Sequence, residues 1–158
     1  MKKILFIMAA AMLVFAGCKK DKTEKTGGNN TWTLAGTTYK VAYTNKSATS
    51  GARPSTLVIF ADAGFNDPKV NTFNLSFATP PTASGTFQLM GGAGGDITGN
   101  QFELFAGGDG KAYAYLGTAI DVAVEVTGGK IKVTIPEIML KSASGGADVK
   151  LTASVYEK

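Results

Sequence analysis

Hydrophobic and polar residues alternate with a period of two through much of the chain. Ile120, Val122, Val124 and Val126 alternate with Asp121, Ala123, Glu125 and Thr127. After Gly128-Gly129, Ile131, Val133 and Ile135 alternate with Lys130, Lys132 and Thr134. Successive side chains of a strand point to opposite faces, so each run predicts a half-buried strand, and the glycine pair between them predicts a β-hairpin. Val149, Leu151, Ala153 and Val155 alternate with Lys150, Thr152, Ser154 and Tyr156 in a final strand, a candidate sheet edge. Phe73, Leu75 and Phe77 define an earlier strand, and Tyr39, Val41 and Tyr43 share one face of another. Leu57-Val58-Ile59-Phe60 is continuously apolar and reads as a strand covered on both sides. Residues 85–90, 101–106 and 111–116 add three more, the last two paired across Gly107-Gly108-Asp109-Gly110.

The pattern predicts about nine or ten strands and no strong helical stripe beyond the first residues. The fold class is therefore all-β: a single antiparallel β-sandwich, with a lipocalin-like β-barrel as the alternative that the same alternation suits.

The beginning of the chain has a different pattern. Lys2 and Lys3 precede thirteen uncharged, mostly apolar residues, 4–16, followed by Gly17 and Cys18. A spanning helix needs roughly 20 apolar residues, so this run has the length of a cleaved export signal. Ala16-Gly17-Cys18 resembles the lipobox of bacterial lipoproteins, with Phe15 standing where that family commonly has Leu. The resemblance implies cleavage before Cys18, lipidation of its thiol and acylation of its new amine (palmitate-type chains). One chain binds a membrane only marginally, at about 0.8 kcal/mol per buried CH₂, whereas several hold stably. Lys19, in place of an Asp retention signal, implies the outer membrane, on its periplasmic or cell-surface face. The layout also resembles the small β-rich lipoproteins of bacterial outer membranes. The expected organisation is a signal peptide at 1–17, the lipidated cysteine and a flexible tether at 18–30, and the β domain at 31–158. The tether ends in Thr26-Gly27-Gly28-Asn29-Asn30, and its composition gives a reach of roughly 20 Å.

Charge follows the same division. The chain carries a net +4, all of it in the leader and tether; residues 31–158 hold ten basic and ten acidic side chains. The folded part has no basic bias, which removes the main support for nucleic-acid binding. The expected partners are a membrane, through the lipid, and an envelope ligand or protein that the residues do not identify.

There is no histidine, and Cys18 is the only cysteine. Histidine-based nucleophile systems and general bases are excluded, together with most zinc sites. Stability must come without disulfides. No Ser-x-x-Lys occurs, and Gly91-Gly92-Ala93-Gly94-Gly95 lacks the Gly-Lys-Ser/Thr ending of a phosphate loop. The expectation is a non-catalytic module with no cofactor and no metal.

Three residue sets could argue otherwise. Glu103, Asp121, Glu125 and Glu137 are the carboxylates from which a His-free hydrolase would draw a pair. Asp62, Asn66, Asp67 and Asn71 offer oxygens to a cation, but in an order unlike an EF-hand, and these residues are also ordinary turn formers, as are Asp96 and Asp109. Trp32, Tyr39, Tyr43, Tyr113 and Tyr115 could form a ligand-stacking platform; core packing is the plainer account. The functional expectation is a membrane-anchored binding or structural module of the outer envelope. The alternatives are a lipocalin-like carrier of a small apolar ligand and a hydrolase using paired carboxylates.

Overall fold

In a computed structural model of the chain, residues 29–50, 54–92, 94–108 and 110–158 are described; the leader, Cys18 and Asp109 lie outside them. The described residues form strands and no helix: β1 (Thr31–Leu34), β2 (Thr37–Lys40), β3 (Tyr43–Thr49), β4 (Ser55–Ala61), β5 (Thr72–Phe77), β6 (Gly85–Leu89), β7 (Gln101–Gly108), β8 (Lys111–Ala114), β9 (Ile120–Thr127), β10 (Lys130–Ser142) and β11 (Val149–Tyr156).

The protein is all-β, as the alternation predicts, but the strands do not separate into the two sheets of a simple sandwich. They form one connected sheet, in the order β2-β1-β11-β10-β9-β6-β7-β5-β4-β3, with β8 bridging β7 and β10. That bridge closes β6, β7, β8, β10 and β9 into a small five-stranded ring. From the ring, β11, β1 and β2 extend off β10, and β5, β4 and β3 extend off β7.

Ring closure depends on two strands that change partners along their length. β10 pairs with β9 over Lys130–Val133, then with β8 at Lys141 and Ser142. Between these, Pro136 and Glu137 form an irregularity in its ladder with β11. Pro136 has no N–H to give to a ladder, and an extra residue bends the strand. The inward phase accordingly moves from Ile131, Val133 and Ile135 to Ile138 and Leu140. β7 likewise meets β6 at its start and β8 at its end.

Three expectations are corrected. The β6–β7 pair is parallel, so the sheet is not purely antiparallel. The final strand, β11, is no edge: it lies between β1 and β10. Tyr39, Val41 and Tyr43 do not share a face, because the chain changes partners between β2 and β3. Val41 N–H bonds to Asn30 O, and Ala42 N–H bonds to Ala61 O. Val41 is fully buried while Tyr43 is 53% exposed.

One hydrophobic core runs through the sheet's interior. It is filled by large side chains, among them Phe60, Phe73, Phe77, Phe102, Leu140 and Leu151. Phe77 stacks on Phe102 at 5.0 Å and meets Phe87 edge-on at 5.8 Å. The fold begins at Asn30, a residue whose composition places it in the tether. Asn30 is buried; its amide donates to Tyr156 O at 3.0 Å and accepts from Tyr156 N–H at 2.9 Å, extending the β1–β11 ladder through a side chain. At the far end the C-terminal residues seal the outer edge of β3. Glu157 accepts from Ile131 N–H and from Lys46 Nζ, and Lys158 N–H donates to Thr44 Oγ1.

Candidate functional site

The sequence-predicted aromatic platform is not assembled. Trp32 is 1% exposed; it stacks on Tyr39 at 5.3 Å and lies 6.3 Å from Phe73. Tyr115 is buried and its hydroxyl donates to Thr118 O, while Tyr113 packs against the same core. Tyr43 alone is well exposed, on a different face. Four of the five aromatics are core or core rim.

The carboxylates also part company. Glu125 pairs with Lys132 at 2.9 Å and Glu137 with Lys150 at 2.7 Å, both at the surface. Asp121 is exposed on β9. In the Asp62 loop the acid oxygens hold turns: Asp62 Oδ1 and Oδ2 accept from the N–H and Nδ2 of Asn71, each at 2.8 Å, and Asp67 Oδ1 accepts from Lys69 N–H.

Glu103 differs from all of these. It points to the outer face of β7, yet only 6% of it is exposed. The cover comes from the described part of the connection between β6 and β7, residues 90–92 and 94–100. Because these strands run parallel, the connection must double back across the sheet, and its glycines let it lie close. A Cβ on Gly91 would sit 1.6 Å from Gly117 O, backbone against backbone. Gly92 N–H donates to Tyr115 O, and Gly95 N–H donates to Glu103 Oε1 at 2.9 Å. The glycine run that resembles a failed phosphate loop is the lid over a buried acid.

Beside this lid lies an open cleft of about 560 Å³, lined by Glu103, Ser55, Ser76, Asp96, Thr98 and neighbours. Ser76 stands directly opposite Glu103 in the β5–β7 register. Its hydroxyl donates to Ser55 Oγ at 3.0 Å. Ser55 Oγ is 2.9 Å from Thr49 Oγ1, which itself donates to Ser55 O. Either of these two hydroxyls can be the donor, and Ser55 N–H donates to Thr49 Oγ1 at 3.0 Å. Asp96 is engaged in an interaction of its own. No lysine lines the cleft among the described residues, and Arg53, next to Pro54 in sequence, lies outside them.

A second groove of about 700 Å³ crosses the outer face of β2, β1, β11 and β10. Thr38, Thr33 and Thr152 form one row and Thr31, Ser154 and Thr134 the next. Thr33 and Thr38 share a hydrogen bond of 2.8 Å.

Sequence reading named Glu103 as one carboxylate among four and missed Thr49, Ser55 and Ser76 altogether. The signal available was Glu103's setting: a single charge in Phe102-Glu103-Leu104-Phe105-Ala106, a run apolar enough for a strand covered on both sides. Among the described residues no three Asp or Glu side chains gather as a metal cluster, and no helix is long and apolar enough to cross a membrane. Comparison with protein-family models, with curated proteins and with solved structures finds no match to this chain.

Proposed function

We propose that the chain is a lipid-anchored lipoprotein of the bacterial outer envelope whose β domain is a non-catalytic binding module. The anchor rests on the leader and on Ala16-Gly17-Cys18. The binding role rests on one observation: a buried carboxylate at the edge of an open cleft. The covering loop holds that carboxylate through Gly95 N–H, which a solvated surface acid does not need. The large side chains of the described core lend no support to the lipocalin-like carrier.

The anchor is tested by intact mass and membrane fractionation of the native protein beside Cys18→Ser. Acyl mass and outer-membrane sedimentation in the wild type alone are expected. An unmodified wild type outside the membrane fraction would overturn the anchor.

Hydrolysis by paired carboxylates keeps one supporting observation, that Asp96 lines the same cleft as Glu103. Turnover of aryl glycosides lost in Glu103→Gln would favour it over binding alone.

A further inference from the structure

We infer that the end of the β domain where the tether enters is a docking face for a membrane surface of anionic phospholipid headgroups. The inference deepens the reading of the chain as lipid-anchored and rests on it.

The first ground is where the charges gather. Residues 31–158 are neutral as a whole, with ten basic and ten acidic side chains, but strand register brings one set of lysines together. Lys40, at the end of β2, stands opposite Thr31, the first residue of β1. Lys132 stands opposite Tyr156 at the end of β11, and Lys130 opens β10 beside it. Lys46 reaches the same corner from β3, donating to Gly129 O and to Glu157 Oε2, each at 3.1 Å. Lys158 completes it, with its N–H on Thr44 Oγ1 and its Nζ on Ala42 O. These five lysines meet two acids, and both acids are taken, Glu125 by Lys132 and Glu157 by Lys46. Five lysines less two acids leave +3, and an α-carboxylate on Lys158 would leave +2. Asp62, one residue beyond the pairing of Tyr43 with Ala61, gives both its oxygens to Asn71. Lys40 and Lys130 are exposed and form no ion pair with a described residue. Gathered like charges repel one another, and an anionic surface relieves that repulsion.

The second ground is position. Asn30 is clamped to Tyr156 through both ends of its amide, so the tether leaves the domain at this corner. A lipid on Cys18 would hold the corner within roughly 20 Å of the bilayer. Exposed charge acts over about 8 Å at physiological salt, so the face nearest the anchor is the one that responds.

The third ground is the surface itself. Tyr156 is 41% exposed and lines a groove of about 230 Å³ with Lys130, Lys132, Glu125 and Thr127. The groove is below the roughly 300–1,000 Å³ of small-molecule sites. A ring with a polar tip beside lysine stems suits the headgroup level of a bilayer. Past the Pro136 irregularity of β10, by contrast, Lys141 and Lys150 are each paired with an acid, Asp148 and Glu137.

The test places the native full chain on excess vesicles of phosphatidylcholine, or of equimolar phosphatidylcholine and phosphatidylglycerol. The acetylation rate of each lysine is followed by peptide mass spectrometry. Lys40 and Lys130 are expected to react at least about threefold more slowly on the anionic vesicles and to recover in about 1 M salt, while Lys141 and Lys150 react alike on both. Equal rates for Lys40 and Lys130 on the two vesicles would overturn the docking face. Equal slowing of Lys141 and Lys150 would overturn it too, since no one face would then be chosen. Slowing that survives the salt would overturn the role of charge. Combining Lys40→Glu with Lys130→Glu changes two exposed positions and should release Lys132 from protection; undiminished protection there has the same force. A wild type without acyl mass refutes the anchor separately. The same vesicles then read the unlipidated chain, and equal rates on both would overturn the docking face as well.

Discussion

The outer face of β2, β1, β11 and β10 and the outer face of β5 and β7 are both polar rows on the same sheet, and they treat their polar groups in opposite ways. On the first, threonine hydroxyls stay near water and the charges are paired across neighbours, Glu125 with Lys132 and Glu137 with Lys150. On the second, a glycine-rich loop lies over Glu103, and Gly95 N–H donates to its Oε1. Exposed pairs of the first kind contribute about 0.2–1 kcal/mol, and their loss is absorbed by solvent. A covered acid of the second kind costs more to bury, and hydrogen bonds such as that from Gly95 N–H offset part of the cost. The difference separates a polar face left to solvent from one covered by its own chain.

The contrast can be broken most severely at the lid. Gly91→Val places side-chain atoms where Gly117 backbone already stands, so the loop must lift from β7. A loss of about 3 kcal/mol is expected, read as a lower denaturation midpoint. A variant as stable as wild type would show that the lid is not tightly seated.

The threonine face has its own dependence, at Asn30. Asn30→Ala removes both bonds that tie β1 to Tyr156 and leaves a partly buried N–H and C=O unpaired. A loss of about 2 kcal/mol is expected in the same measurement. A neutral effect would mean that water replaces the clamp freely.

The sharpest comparison is the smallest in size. Glu103→Gln keeps the shape and removes the charge, and is expected to stabilise the protein by about 1 kcal/mol. Glu125→Gln on the opposite face should change stability by less than about 0.5 kcal/mol. Parallel thermal melts decide between them; equal and small effects would erase the distinction between the faces.

Much of the fold was legible because alternation reports which face is buried. Gly128-Gly129 joins β9 to β10 with both glycines at positive φ, as the two-residue hairpin predicts. The pairing of β7 with β8 was equally plain. The β1–β2 hairpin was not, because its turn is Ala35-Gly36 with Ala35 at φ 52°, a conformation for which Asn or Gly is the usual signal. The β2–β3 break was hidden too: Val41 and Ala42 carry no turn residue, and the chain changes sheet partners by redirecting two N–H groups. At the site, periodicity marked Glu103 as outward-facing and therefore solvated. Only the path of residues 90–92 and 94–100, a tertiary fact, covers it. The hydroxyl row was illegible for the same reason, since Ser55 and Ser76 are 21 positions apart and meet only through strand register.

The clamp between Asn30 and Tyr156 spans 126 positions, and β1 finds its ladder partner in β11, the last strand made. A two-stranded hairpin such as β1–β2 is marginal alone. During synthesis the first strand therefore waits for the last, and closing so long a loop is intrinsically slow. For a chain exported as proposed, that delay is useful: the sheet cannot complete itself at the ribosome, so the polypeptide stays threadable until its C-terminus has been delivered.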